Sequence, residues 1–167
     1  MTKLNAIFDI IQGHQITDRE LYYSEGKIPV FTGNNEIKGH WNQSIIEKSD
    51  LPCLTYPTKG NAGVAFVQEE VFDANNTAVL IPKDEWREKV VLDWFRFKLP
   101  PLFLEAMTSK SGVSYLNKDI VKEIDMEVPD KGKQLREIKH YQKLEKMKKK
   151  LEEVLYKVDD LLSKGIT

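Results

Sequence analysis

Residues 130–165 read DKGKQLREIKHYQKLEKMKKKLEEVLYKVDDLLSKG, and this segment decides the organisation of the chain. It contains no proline and only one early glycine, Gly132, and it is rich in Lys, Glu, Leu and Gln, which favour helices. Asp130 precedes the segment and Gly165 ends it. We therefore predict a single helix over residues 131–164, which would span about 50 Å at roughly 1.5 Å per residue.

The second half of this helix carries an apolar seam with alternating steps of three and four residues, typical of a supercoiling helix. The seam consists of Leu144, Met147, Leu151, Val154, Val158 and Leu161. Upstream, Leu135, Ile138 and Tyr141 leave this phase, and we expect them to pack on the rest of the chain. Two interpretations of the seam remain open: the helix folds back onto its own domain, or it assembles with another helix.

Composition and charge indicate one globular domain, residues 1–130, followed by the helical arm, residues 131–164. The chain has 167 residues, of which 41% are hydrophobic and 31% charged. The arm holds 11 basic residues against 6 acidic ones, whereas the domain holds 14 against 20. An acidic domain cannot hold DNA by bulk charge, so any DNA contact needs locally placed groups.

The cellular setting follows from cysteine content and hydropathy. The single cysteine, Cys53, excludes an internal disulfide framework and favours a reducing cytoplasm. No apolar run approaches the roughly 18 residues of a membrane span, so we expect no membrane association. The three histidines are scattered and no ligand spacing is present, so we expect no metal and no cofactor.

The domain itself alternates short strands and short helices irregularly, which predicts an α+β fold with a twisted, mostly antiparallel sheet. Thr17 and Glu20 form a capping box that begins a short helix. Residues 27–32 read as a strand, and Pro29 near its start favours an edge position. Residues 33–41 read as a glycine-rich loop. A helix over residues 85–98 should be broken by Pro100-Pro101.

Two loops of the domain carry residue types that contact DNA. Lys38, His40 and Gln43 supply the cation, ring and amide groups that read base edges, although such groups are also common on ordinary loops. Lys59 and Asn61 lie in a glycine-rich turn that lacks the Gly-Lys-Ser/Thr of a phosphate-binding loop. That turn is either a phosphate or base contact or a plain hairpin.

Two short motifs resemble catalytic signatures, but neither has the residues or geometry that its chemistry needs. Glu137 and Lys139, after Pro129-Asp130, are ordered as in metal-dependent nucleases, but two positions apart on a helix they point to different sides. Pro100-Pro101 lacks the neighbouring polar and aromatic residues with which adenine methyltransferases hold a flipped base. We therefore expect no catalytic residues.

The order of motifs resembles the specificity (S) subunits of type I restriction-modification systems. The matching segments are Gly13 with Ile16-Thr17-Asp18, Tyr23 with Gly26 to Val30, Thr32-Gly33-Asn34 with Gly39, Leu54-Thr55 with Gly60 to Val64, Phe72 with Asn76 to Leu80, and Gly112 to Leu116. Gln134 resembles the glutamine that opens the spacer helix of the family. The family usually carries two recognition domains and two spacer helices, so the chain resembles half a subunit. Lys131-Gly132-Lys133 also departs from the acidic residue usual before that glutamine.

The resemblance implies a non-catalytic specificity component that directs methyltransferase and nuclease subunits to an interrupted target on double-stranded DNA. It implies base contacts around Lys38, His40, Gln43, Lys59, Asn61, Lys110, Ser111 and Tyr115. The long helix would set the spacing, bind partner subunits and pair two chains as a homodimer. The alternative is an interaction module that dimerises through this helix and has no DNA target.

Overall fold

The computed structural model describes residues 1–60, 63–108 and 115–165 and shows a mixed α/β domain that continues into one long helix. This architecture confirms the predicted fold class. The strands divide among three sheets, however, and every pairing except one is antiparallel.

The elements, in chain order, are β1 (Thr2–Lys3), α1 (Leu4–Ile7), β2 (Phe8–Gln12), α2 (Asp18–Tyr22), β3 (Ile28–Phe31), β4 (Ile37–Trp41), a 3-10 turn (Lys48–Asp50), β5 (Cys53–Pro57), β6 (Phe66–Gln68), β7 (Asp73–Ala74), β8 (Thr77–Pro82), α3 (Asp84–Arg87), α4 (Leu92–Thr108), α5 (Lys118–Lys122), β9 (Asp125–Met126) and α6 (Lys131–Lys164). The sheet orders are β2-β8-β5-β6, β4-β3-β7 and β1-β9.

The four-stranded sheet lies in the middle of the domain, because strand β8 is buried on both faces. Ala78 and Leu80 face a core formed with α1, α4 and α5, while Val79 and Ile81 face a second core shared with Phe31 and Phe72. Alternate residues of a strand point to opposite faces, so one fully buried strand contributes to both cores. The domain is thus layered as helices, central sheet and three-stranded sheet.

The prediction that Pro100-Pro101 break a helix is wrong. Both prolines lie inside α4, which runs from Leu92 to Thr108. A proline removes a backbone donor and usually ends a helix. Here Leu99 and Phe103, one on either side of the pair, are fully buried. We infer that the packing of this face outweighs the lost backbone bonds.

Two predictions about the three-stranded sheet are also wrong. Residues 37–41 form strand β4 rather than a loop, and β3 lies between β4 and β7 rather than at an edge. Pro29 is tolerated because β7 pairs only with Val30 and Phe31. The missing N–H of the proline therefore falls outside the ladder with β7.

The capping box of α2 and the extent of the long helix agree with the sequence predictions. Thr17 and Glu20 form the capping box of α2, and the Asn117 side chain accepts from the Ile120 amide at the start of α5. Helix α6 covers 34 residues and is capped by Asp130, whose side chain accepts from the Lys133 amide. Within the described residues, no helix has the length and apolar character needed to cross a membrane.

Candidate nucleic-acid interface

The connections that follow β2, β3 and β5 meet at one end of the domain. Strands β2 and β5 both run antiparallel to β8, so their carboxyl ends lie at the same edge of the sheet, on either side of the start of β8. Strand β3 runs parallel to β7 and ends beside Asn75, whose amide donates to the Phe31 carbonyl. We call this end the tip; it comprises residues 13–16, 32–36, 58–60, 75–77 and 115.

Lys59 and Tyr115 come together at the tip, although they are far apart in sequence. They form an isolated antiparallel bridge, and the Lys59 Nζ lies 5.8 Å from the centre of the Tyr115 ring. Backbone bonds hold this pair: the Thr58 amide donates to Asn76, and the Leu116 amide donates to Thr58. Lys59 is exposed and Tyr115 half-buried, so a cation and an aromatic face are presented together at the surface.

The glycine-rich turn after β5 belongs to an antiparallel hairpin with β6. Gly60 has a φ of +78°, a left-handed conformation that glycine adopts without strain. Asn76, opposite this turn, also has a positive φ of 53°, which asparagine tolerates better than most residues. The two turns therefore fix the backbone on either side of Lys59.

The other predicted contact residues are spread over the domain. Lys38 lies on β4 and forms an ion pair with Asp18 of α2, while His40 lies on the same strand opposite Pro29. Gln43 follows the far end of β4, roughly 20 Å from Ile37 at about 3.3 Å per residue. The structure therefore does not gather Gln43 with Lys59 and Tyr115. Asn61, Lys110 and Ser111 lie outside the described residues.

The sequence analysis missed one polar pair, which joins His14 of the tip to Asp73 of β7. The side chain of Asp73 is fully buried, and its two carboxylate oxygens lie 3.0 and 2.9 Å from Nδ1 of His14. The same carboxylate accepts from the Ala74 amide at 2.7 Å. His14 is half exposed. The two residues are 59 positions apart, so no local pattern announces the pair.

The long helix is attached to the domain through its first turns. Gln134 is fully buried; its Oε1 accepts from the Val91 amide at 2.8 Å, and its Nε2 donates to the carbonyls of Lys89 and Pro129 at 2.9 and 2.8 Å. Ile138 is buried beside it. The resemblance singled out Gln134, but these three bonds could not be derived from the sequence.

An ion-pair cluster continues the attachment along α4. The Glu137 carboxylate accepts from the Trp94 indole at 2.8 Å and lies 3.0 Å from Lys98 Nζ. The hydrogen bond from Trp94, followed by that from Lys98, lowers the pKa of the Glu137 carboxyl. Tyr141 stacks on Phe97 with ring centres 5.0 Å apart. Leu135, which was expected to pack on the domain, remains 48% exposed, because Gln134 and Ile138 occupy the side facing the domain.

From Leu144 onward the helix exposes its apolar seam, although Glu145 still forms an ion pair with Arg96 of α4. The six seam residues are between 44% and 68% exposed: Leu144, Met147, Leu151, Val154, Val158 and Leu161. Leu155 and Leu162 extend this apolar surface, with 61% and 59% exposure. The interpretation that the helix folds back onto its own domain is therefore wrong for this half of the helix. A contiguous exposed apolar surface of this kind marks an interaction site.

No group of three or more His, Cys, Asp or Glu side chains in the described ranges is arranged to hold a metal ion. Burial raises the pKa of the Cys53 thiol to about 12, so this thiol is protonated at neutral pH. Cys53 is fully buried in the second core, where it acts as a packing residue.

Comparisons with known proteins agree with this architecture. The model of the family described as type I restriction modification DNA specificity domain matches residues 1–156. A comparison with curated proteins found no match. The HsdS subunit from Thermoanaerobacter tengcongensis has a similar fold, with 16% identity and a TM-score of 0.65 over 87% of this chain and 37% of that one.

Two further solved structures are similar at 16% identity over 87% of this chain. A structure described with the words "structural basis underlying complex assembly and conformational transition of the type I R-M system" gives a TM-score of 0.68. The type I restriction-modification S subunit from M. genitalium gives 0.57. This chain covers 38% of each, so it spans less than two fifths of the length of these solved chains.

Proposed function

The chain belongs to the type I restriction modification DNA specificity family, and from this premise we propose that it recognises a DNA sequence for methyltransferase and nuclease subunits in the cytoplasm. The observation that carries the proposal is the family match over residues 1–156. In this proposal residues 1–130 are the recognition domain, residues 131–164 are the spacer helix, and the chain itself performs no catalysis.

We propose that the tip faces the duplex. Lys59 presents a charge to phosphate oxygens, and the ring of Tyr115 offers an apolar edge to the groove. Lys38, His40 and Gln43 remain proposed contacts, together with Asn61, Lys110 and Ser111. Because residues 1–130 carry 20 acidic residues against 14 basic ones, the methyltransferase subunit would supply most of the phosphate contacts.

We propose that the exposed seam pairs two copies of the chain as antiparallel helices. The seam offers aliphatic side chains at coiled-coil spacing and finds no cover within the described residues of its own domain. A two-fold axis through such a pair would place one recognition domain at each end of a rod. The target would then be an interrupted palindrome with a gap of fixed length and free sequence.

Sequencing of the DNA methylated by the chain reconstituted with its methyltransferase subunit tests this function. The expected result is an interrupted palindrome whose half-sites lie about one helical turn of DNA apart. An asymmetric or uninterrupted motif would contradict the two-fold rod. Dimerisation without binding to any DNA would instead support the alternative, an interaction module that uses the same exposed seam.

Deletion of one heptad, Leu144 to Lys150, tests the role of the helix as a spacer. The deletion removes about 10 Å of helix at roughly 1.5 Å per residue, and the preferred gap should shorten by about three base pairs. A matched control replaces the same seven residues with alanine except at Leu144 and Met147, which preserves length and seam. An unchanged gap in the deleted protein would show that something other than this helix sets the spacing.

A further inference from the structure

The His14–Asp73 pair at the tip has no role in the function proposed so far. Its geometry is unusual for a surface contact, because the carboxylate is fully buried and only the imidazole reaches solvent. A buried charge is costly unless it is compensated by hydrogen bonds. The Asp73 carboxylate accepts hydrogen bonds from the Ala74 amide and from the His14 ring. The domain thus maintains a buried carboxylate behind one half-exposed ring.

The carboxylate fixes which ring nitrogen is available. An ionised carboxylate can only accept, so Nδ1 of His14 carries the proton that it donates to Asp73. The other nitrogen, Nε2, forms no hydrogen bond with the residues that the structure describes. Buried carboxylates orient histidines in this way where the second nitrogen makes a functional contact.

The surrounding backbone holds the ring at the tip. His14 forms a parallel bridge with Asn75, and the Gly13 amide donates to the Thr77 carbonyl at 2.8 Å. A side chain at Gly13 would lie 2.2 Å from that carbonyl oxygen, so only glycine permits this approach. The Asn75 side chain donates to the Ile16 carbonyl at 2.8 Å and closes the other side of His14. The loop is therefore positioned from both ends.

The ring belongs to the same surface as Lys59 and Tyr115. Asn75 is followed by Asn76, whose carbonyl accepts from the amide and the hydroxyl of Thr58, the residue before Lys59. Backbone contacts therefore lead without interruption from His14 to Lys59 and on to Tyr115. A ligand that lies across Lys59 and Tyr115 is within reach of His14.

We propose that His14 contacts DNA through Nε2 and that Asp73 is the positioning residue that orients it. The inference rests on the proposed function, because it assumes that the tip faces the duplex. The ligand is a hydrogen-bonding group of DNA: an amino group of adenine or cytosine for the neutral ring, or a phosphate or guanine acceptor for the protonated ring. In either state, Nδ1 stays with Asp73 and Nε2 makes the contact.

Two substitutions separate the contact from the structural role. His14→Asn keeps an N–H where Nδ1 lies and can still donate to Asp73, but it removes the outward nitrogen. His14→Gln reaches the position of Nε2 and gives up the bond to Asp73. His140→Asn, at an exposed position on the long helix, is the matched control.

The binding assay uses the full chain in complex with its methyltransferase subunit, a duplex carrying the methylated motif, and an unrelated duplex of equal length. His14→Asn should melt like wild type and bind the target about 3- to 10-fold more weakly, the loss expected for one net hydrogen bond. His14→Gln should melt earlier but bind more tightly than His14→Asn. His140→Asn should match wild type in both measurements.

The two duplexes distinguish the group contacted. Loss of a phosphate contact weakens binding to both duplexes and lowers the salt slope by about one, whereas loss of a base contact weakens only target binding and relaxes one position of the motif. The proposed contact is refuted if His14→Asn binds the target like wild type. It is also refuted if the affinity of both variants for the target falls only in proportion to their loss of stability. In both cases the proposed function stands. If the wild-type complex binds no DNA, the proposed function fails as well.

Discussion

Replacement of Gln134 by leucine tests whether this residue fastens the long helix to the domain. Leucine has a similar volume and favours helices, so the change removes polar groups without creating a large cavity. It removes three hydrogen bonds and leaves the Val91 amide and the carbonyls of Lys89 and Pro129 without their partner. A buried group left unpaired costs about 1–3 kcal/mol, and because these three bonds are part-buried, each loss should lie toward the lower end of that range.

The apolar side chain regains part of this loss, because Gln134 is fully buried and leucine is better suited to that environment. We therefore expect a net destabilisation of about 3 kcal/mol, which corresponds to a fall of about 6–12 °C in Tm for a chain of this size. Thermal and urea unfolding, followed by circular dichroism at one fixed protein concentration, measure it. Concentration is held constant because the proposed dimer would make the stability depend on it.

Two further variants serve as comparisons for Gln134→Leu. Gln142→Leu makes the same chemical change at an exposed position of the same helix and should alter stability by less than about 0.5 kcal/mol. Gln134→Glu retains the acceptor for the Val91 amide but turns a carboxylate oxygen toward two carbonyls, so it should be at least as destabilising as leucine. A loss below about 1 kcal/mol for Gln134→Leu would refute the view that these bonds fasten the helix.

Three other variants test the seam, the tip and the acid response. The double variant Leu151→Asp with Val158→Asp should be a folded monomer in analytical ultracentrifugation. The control Lys149→Asp with Tyr156→Asp, on the opposite side of the helix, should remain dimeric. A wild-type chain that is monomeric at tens of micromolar would contradict the proposed pairing. Lys59→Ala should weaken DNA binding by the complex and lower the slope of its salt dependence by about one, whereas Lys48→Ala, before the other end of β5, should change neither. If the Lys59→Ala complex has the same slope as the wild-type complex, Lys59 does not contact phosphate. Because the folded-state pKa of Glu137 is lowered, its contribution to stability is present above the ordinary value of 4.5 and is lost as the pH falls below it. The stability difference between wild type and Glu137→Gln should therefore shrink from pH 7 to pH 4 in urea unfolding, and a constant difference would contradict that contribution.

Local signals in the sequence predicted the elements whose structure depends on local interactions. The long helix and the capping box at Thr17 each follow from residues that are close together in the sequence. Tertiary contacts overrode the local signals elsewhere. Pro100-Pro101 remained helical because the flanking Leu99 and Phe103 are buried, and residues 37–41 became a strand because β3 offered an unpaired edge.

The candidate site was harder to predict because its contacts join distant parts of the chain. Lys59 could be singled out from its glycine-rich turn, but its neighbour Tyr115 depends on how the chain returns to β5. His14 and Asp73 carry no local signal at all. Lys38 has the residue type of a DNA contact, and only the structure reveals that Asp18 partly neutralises it.

The long helix combines two contact surfaces that differ in phase. Gln134, Ile138 and Tyr141 face the domain, whereas the seam from Leu144 to Leu161 lies about a third of a turn further around the helix axis, at about 3.6 residues per turn. A helix that kept one phase throughout would carry its whole apolar surface on the side that faces the domain. The phase change near Tyr141 instead leaves the seam free and sets the angle between the domain and any helix that pairs with it. In the proposed pair, the orientation of the recognition domain relative to a second copy would therefore depend on the residue spacing within one continuous helix.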